Sequence, residues 1–389
     1  MRLHLFFLAL LFFFSFSFCQ SRQLSTNAEI SVLTLGQGDN LNDAFGHSAF
    51  RVKDRNSGLD IVYGYGRYDF NTPNFYLKFV QGKLNYLMGK RKFSDFFELY
   101  RYYDRTIQEQ KLNLSQDQKQ RLYNYLINNY KPENRAYIYD FFYDNCATKI
   151  RDVANITSNL TITYPEISEE DKKTFRELIH EEVGHNTWGS FGIDIALGSL
   201  IDKKATKEEQ LFLPKYIFES FKNVSLNEKP LVKSSNTIYK SRYGSAYKTN
   251  FFVSPIFIVS LIAILIIFIT FKDNKNSKRT KWLDVLLFSI SSLIGVLLLL
   301  LWFGTDHTTT GYNYNLLWAF PLNLFALIQF FKKTPKKWFR SYLKYLIIML
   351  ALMAMHWIIG VQVFAIGFLP LLIALIIRYV YLIKYYKTA

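Results

Sequence analysis

Cysteine is nearly missing from this chain: two residues among 389. That excludes a fold held by a network of disulfides. Acidic residues are also short, 31 Asp and Glu against 47 Lys and Arg, for a net charge of +16. Such an excess could suggest nucleic acid, but its distribution argues otherwise. The stretch from Phe251 to Ala389 holds 14 Lys and Arg and only 3 Asp and Glu, so most of the excess belongs to loops flanking apolar runs. Mean hydropathy is only +0.03 although half the residues are hydrophobic and 18% aromatic. The apolar residues are segregated rather than scattered, which rules out a simple cytosolic enzyme.

The first twenty residues, MRLHLFFLALLFFFSFSFCQ, have the pattern of a secretory signal. Arg2 precedes an apolar run from Leu5 to Phe14, and Ser17-Phe18-Cys19 is a small-x-small cleavage site, with cutting expected after Cys19. A signal anchor is the alternative; Phe18 is too bulky before the cysteine for a lipoprotein signal. Cleavage leaves Cys146 alone, so no intramolecular disulfide is possible. A solitary thiol in an oxidising compartment is then a reactive-residue candidate, with a small buried hydrophobe as the plainer reading.

Five membrane spans are expected in the last third. Phe251 to Phe271, Trp282 to Phe303 and Tyr312 to Phe331 each approach the roughly 20 apolar residues that cross a bilayer. Leu346 to Ile377 is too long for one crossing and should fold back at Gly360-Val361-Gln362, giving the fourth and fifth. Lys272 to Lys281, Lys332 to Lys337 and the tail with Arg378, Lys384 and Lys387 are basic; Gly304 to Asn315 and the Gly360 turn carry no Lys or Arg. The positive-inside rule puts the basic set and the C-terminus in the cytoplasm and everything before Phe251 outside, an inner-membrane topology with a periplasmic domain. Trp302 and Trp318 read as interface anchors.

Residues 20–221 read as one exported α+β domain, and 222–250, rich in Ser, Asn and Lys, as a tether to a membrane domain over 251–389. Glu29 to Leu35 is a strand running into Gly36-Gln37-Gly38, and Ser48 to Val52 with Leu59 to Tyr65 suggest a hairpin. Gln108 to Tyr130 has helical spacing, and Glu169 to Glu181 reads as a charged, solvated helix with Ser168 as its N-cap.

The strongest chemical constellation is Asp144-Asn145-Cys146 before a helical pattern. It places Cys146 in a first helical turn, where free backbone N–H groups and the helix dipole favour a thiolate and could receive an oxyanion. The base is sought among His47, His180 and His185, because His4, His307 and His356 fall in the signal or the membrane part. His47 opens a predicted strand in AFGHSAFRV, and a strand His before a helix Cys fits a permuted papain-like arrangement. His180 and His185, five apart, do not share a helix face, so no metal site is expected.

At these residues the chain resembles a known family. AFGHSAFRV, VYGYGRYDFNTPNFYLKFVQGKLNY, RTIQEQKLNLS, PENRAYIYDFFYDNCATKIRD and, in the membrane part, GTDHTTTGYNYNLLWAFPLN are similar to the Lnb family of bacterial lipoprotein N-acyltransferases. More distantly they are similar to permuted thiol acyltransferases. The resemblance implies a small antiparallel sheet with helices followed by an all-α five-helix transmembrane domain. It also implies transfer of an acyl chain through a cysteine thioester to the α-amine of a diacylglyceryl-modified lipoprotein. The partners would be membrane lipids and such lipoproteins, with no cofactor.

On that reading His47 deprotonates Cys146, the thiolate attacks an ester, and the acceptor amine resolves the thioester. The imidazole's orienting group would stand on the next strand, with Tyr65 and Asp69 as candidates and Asp60 less suitable beside the turn. Asn145 of the nucleophile's loop would help position substrate. Asp306 and His307, in a polar outer loop facing the exported domain, are candidates for the same task, with a solvated loop as the alternative. Two other classes stay open: an envelope thiol hydrolase, and a non-enzymatic sensor or scaffold.

Overall fold

The computed structural model describes residues 22–158, 168–226, 229–244 and 250–388. The signal expected over residues 1–19 lies outside them. Apolar residues pointing to both faces of β1, β2 and β3 build the centre of the sheet. β1 (Glu29–Leu35), β2 (His47–Asp54), β3 (Leu59–Arg67), β4 (Asn85–Lys92), β5 (Ile107–Leu112) and β6 (Ala136–Ile138) are antiparallel neighbours. After a separate short pair, β7 (Ser225–Leu226) and β8 (Lys229–Pro230), β9 (Val232–Tyr239) closes a seven-stranded sheet in the order β6-β4-β3-β2-β1-β5-β9. The helices of this domain are α1 (Phe75–Val80), α2 (Phe93–Tyr102), α3 (Gln116–Tyr130), α4 (Cys146–Ser158), α5 (Phe175–Val183), α6 (Trp188–Ala196) and α7 (Pro214–Asn223).

One face of the sheet, with Val32, Phe50, Tyr63 and Tyr65, packs against α3, α4 and α7 in the main core. The other face, with Leu33, Leu35, Ala49 and Val62, is covered by Phe96 of α2. Three local expectations change. Gln108 to Tyr130 is not one helix: its first part is β5, and α3 starts only at Gln116, capped by Ser115 in a capping box with Gln118. The charged helix begins at Phe175, capped by Thr174 with Glu177, while Ser168 caps nothing longer than a turn onto Asp171. The segment expected as a tether contributes β9, paired with β5 through Gln108 opposite Thr237. An edge strand rich in Ser, Asn and Lys has no apolar period to betray it.

Among the described residues, four helices are long and apolar enough to cross a membrane: α8 (Pro255–Lys275), α9 (Lys281–Phe303), α11 (Trp338–Ile358), and α12 (Leu369–Thr388), whose apolar stretch extends back to Ile366. The fold-back comes where expected, at Gly360, whose φ is +76°. The expected third span is different. Tyr312 to Phe331 is not one helix but short 3₁₀ turns around the single turn α10 (Asn323–Ala326). It nevertheless runs along α9 from its last turns towards its first. A Cβ on Gly295 would come within 2.0 Å of the Ala319 carbonyl. Further along, Asn323 donates to Ser291 Oγ at 2.8 Å, and Phe330 meets Phe288 edge-on at 4.8 Å. The segment's polar side chains Asn315, Asn323 and Gln329 are buried, while Leu322, Leu324, Phe325, Ile328 and Phe331 stay exposed.

Two further readings change in the bundle. Arg378 is not a free charge of the tail: it is fully buried between Asp273 and Asp284, at 2.7 Å from each. Trp318 is not a surface anchor; it is buried, and its indole N–H donates to Asn315 at 3.0 Å.

The two domains are docked rather than strung together. Asn313 donates to the Ile195 carbonyl at 2.7 Å and Asn315 to the Asp194 carbonyl at 2.8 Å. Phe191 stacks on Phe368, and Gly198 lies so close to Gly311 that a Cβ would come within 1.9 Å of its carbonyl oxygen.

Candidate functional site

The loop entering α4 is organised by Asn145, which is 3% exposed. Its Oδ1 accepts from the Ala147 and Thr148 N–H groups at 2.7 and 3.0 Å, making it the N-cap. Its Nδ2 donates to the Phe141 and Phe212 carbonyls at 2.7 and 2.8 Å. With its amide committed on both sides, Asn145 shapes the helix start and has no polar atom left over for a substrate. Asp144 is paired with Lys149 at 2.7 Å.

Cys146 therefore opens α4, which packs on β2 and β3. Its sulfur faces the N–H groups of Ser48, Cys146 itself and Ala147. Ser48 directly follows His47, so the thiol lies at the end of β2 where the imidazole is mounted. His47 leans over Gly64 of β3, where a Cβ would be 3.2 Å from its Nε2. The missing side chain at residue 64 is what gives the ring its room.

Electrostatics at this corner run against the sequence reading. Burial pushes the thiol up to about 11, and the surrounding N–H groups and Arg105 offset only part of that. Burial, helped by repulsion from Arg105, pushes His47 down to about 4. Both shifts favour the uncharged forms near neutral pH, a thiol on Cys146 and a neutral imidazole on His47. The helix start was expected to win; desolvation is larger.

Arg105 is the residue the sequence reading missed. It precedes β5 and is 4% exposed. Its Nε donates to the Gly36 carbonyl at 3.0 Å and its Nη1 to Asp43 at 2.8 Å, while its guanidinium lies 5.1 Å from the centre of the Tyr100 ring. Its Nη2 is buried and, among the described residues, has no acceptor. No spacing in the sequence marks it, because its neighbours come from distant loops.

The expected orienting groups are not brought to His47. Alternation along β3 turns Tyr65 to the opposite face from Gly64, into the main core, where its hydroxyl donates to Asn129 at 2.6 Å. Asp69 lies beyond the strand and accepts from the Asn71 N–H at 2.9 Å in a local turn. Asp60 is gripped by Arg51 through two bonds of 2.7 Å. His180 is held by Asp194 at 3.0 Å, with the His185 ring 4.7 Å away.

Asp306 and His307 reach the exported domain, but they hold its backbone. The Asp306 N–H donates to the Gln81 carbonyl at 2.9 Å, and His307 Nε2 bonds the Val80 carbonyl at 3.0 Å over Gly82. Their neighbour Thr308 donates to Asp140 Oδ2 at 2.7 Å, tying the loop that carries Cys146 to the membrane domain.

A mixed α+β domain, docked on a helical membrane bundle and carrying one cysteine at a helix start, defines a membrane-anchored periplasmic class of protein. The chain belongs to the Lnb family: residues 19–180 match the Lnb N-terminal periplasmic domain and residues 247–389 the Lnb transmembrane domain. No curated protein and no solved structure matches it.

Proposed function

We propose that this protein N-acylates lipoproteins by a thioester mechanism centred on Cys146. Family membership suggests lipoprotein N-acylation as the activity and membrane lipids and lipoproteins as the substrates. The observation that carries the mechanism is the position of the thiol: first in α4, against the Ser48 N–H, at the end of the strand that holds His47. In the first step His47 takes the thiol proton as sulfur attacks an ester carbonyl. The C–S bond forms, the ester C–O bond breaks, and the proton passes to the departing alcohol. In the second step the acceptor's α-amine attacks the thioester, an amide forms, and the thiol regains a proton. The backbone N–H groups around the sulfur, with Arg105 Nη2 nearby, are the donors for the oxyanion. Starting from a neutral thiol suits an oxidising compartment, since the thiolate is the form that oxidises.

The strand-borne histidine before a helix-borne cysteine supports a permuted papain-like core, and the irregular segment 312–331 lying along α9 supports a fifth passage through the bilayer. The exported domain would then face the periplasm and the C-terminus the cytoplasm, with the first 19 residues as signal. The test is mass spectrometry of lipoprotein N-termini from cells carrying the wild-type chain or Cys146→Ser. Loss of the amide-linked acyl chain, about a thousandfold or more, is expected while the variant still inserts. Full N-acylation by Cys146→Ser would overturn the thiol mechanism, and free fatty acid in place of the amide would favour a hydrolase.

A further inference from the structure

The six-residue helix α1 exposes nearly everything it carries. Only Phe75 is buried, while Tyr76, Leu77, Phe79 and Val80 are 50–77% exposed, with Phe70 beside them at 66%. Soluble surfaces rarely carry so large a contiguous apolar patch without a partner. The partner's identity follows from what holds the helix. Its C-terminal turn is bonded to Asp306 and His307, a few residues after the membrane helix α9 ends at Phe303, itself 75% exposed. The patch is therefore continuous with the outer end of a bilayer span, and Lys78 and Lys83 flank it. An apolar face with basic neighbours at that level fits a lipid interface.

Behind the patch lies a run of rings. Phe75 meets Tyr68 at 5.8 Å, Tyr68 meets Tyr86 at 5.6 Å, and Tyr86 stacks on Tyr139 at 4.4 Å. Tyr139 is close enough to Cys146 that a thiolate there would oppose its ionisation. The bulge in β3 includes Gly66, φ +94°, where an added Cβ would only just touch the Tyr139 ring, at 4.0 Å. We infer that α1 rests in the outer leaflet and that the ring ladder from Phe75 to Tyr139 guides phospholipid from the bilayer to Cys146. The guiding role rests on the acyl-transfer reading; the membrane contact does not.

The test uses the full chain in nanodiscs of phosphatidylethanolamine and phosphatidylglycerol, in a Cys146→Ser background. Nitroxide labels are placed through Leu77→Cys and Phe79→Cys, with Asn56→Cys at the far end of the β2–β3 hairpin as reference. Oxygen against nickel-chelate accessibility should place the first two within the bilayer and the reference in water. If all three read as water, the inference is overturned without any reference to turnover. The second arm restores Cys146 and introduces Leu77→Asp with Phe79→Asp. N-acylation should fall about tenfold or more, because the substrate is no longer guided, while iodoacetamide labelling of Cys146 stays unchanged as a check on the site. Undiminished N-acylation would overturn the guiding role.

Discussion

Two buried arginines show how differently one side chain is used. Arg176, 1% exposed, lies at the seam between the domains with every guanidinium nitrogen engaged. It bonds Asp202 at 2.8 and 2.9 Å, Asp194 at 2.7 Å and the Gly198 carbonyl at 3.1 Å. Arg105, almost as buried, keeps one nitrogen without an acceptor among the described residues, and its carboxylate partner Asp43 is 44% exposed. A buried charge with all its donors satisfied fixes structure; one with a donor in reserve near the Cys146 thiol can take up an acceptor that arrives. The seam is thus the rigid frame and the Cys146 corner the poised part.

The sharpest way to break the comparison is to remove the frame. Arg176→Ala strands Asp194 and Asp202 in a buried seam and should cost about 3–5 kcal/mol. Thermal unfolding of the detergent-solubilised protein would read this as a large loss of Tm. A change of less than about 1 kcal/mol would mean that the seam is not structural.

The poised part is tested by chemistry rather than stability. With the thiol held up at about 11, the thiolate fraction at pH 7 is about 300-fold below that of a free cysteine. Iodoacetamide should therefore label Cys146 slowly at pH 7, with the rate still rising at pH 9–10. A plateau already reached at pH 7 would replace the neutral pair with a standing thiolate–imidazolium pair. Arg105→Gln comes next. Losing that charge removes one of the influences that lower the thiol's pKa, so labelling at pH 8 should slow several-fold, and N-acylation should fall about 10²-fold if Nη2 serves the oxyanion. Stability should change much less than in Arg176→Ala, because Asp43 can turn to water. Equal stability losses in the two variants would erase the distinction between them.

Much of the frame was legible in the chain. Asn145 ahead of Cys146 announced a capped helix start, and the Gly360 turn followed from a run too long for one crossing. What escaped depends on partners remote in sequence. Arg378 looks like a loop charge until Asp273 and Asp284 surround it, and Tyr312 to Phe331 has span-like composition although it folds as irregular backbone along α9. At the site, the alternation of β3 turned Tyr65 away from His47, while the sign of the Cys146 shift was set by burial, which local sequence does not report.

The smallest effect expected is on acid stability, and it isolates His47. Its folded pKa lies at about 4 against an ordinary 6.5, so between these values the unfolded chain binds a proton that the folded chain does not. Stability then rises with pH across that window and is lost as pH falls from 6.5 towards 4. Allowing for partial exposure of the ring, the loss between pH 7 and pH 5 should be about 1 kcal/mol. His47→Gln should flatten that slope. Carboxylates held low by their partners, such as Glu29 beside Lys111, lose their contribution only at lower pH, so melts at pH 7, 6 and 5 report the imidazole. If the wild-type and His47→Gln melts run parallel over that range, the ring is not buried in its neutral form, and the neutral pair at the site goes with it.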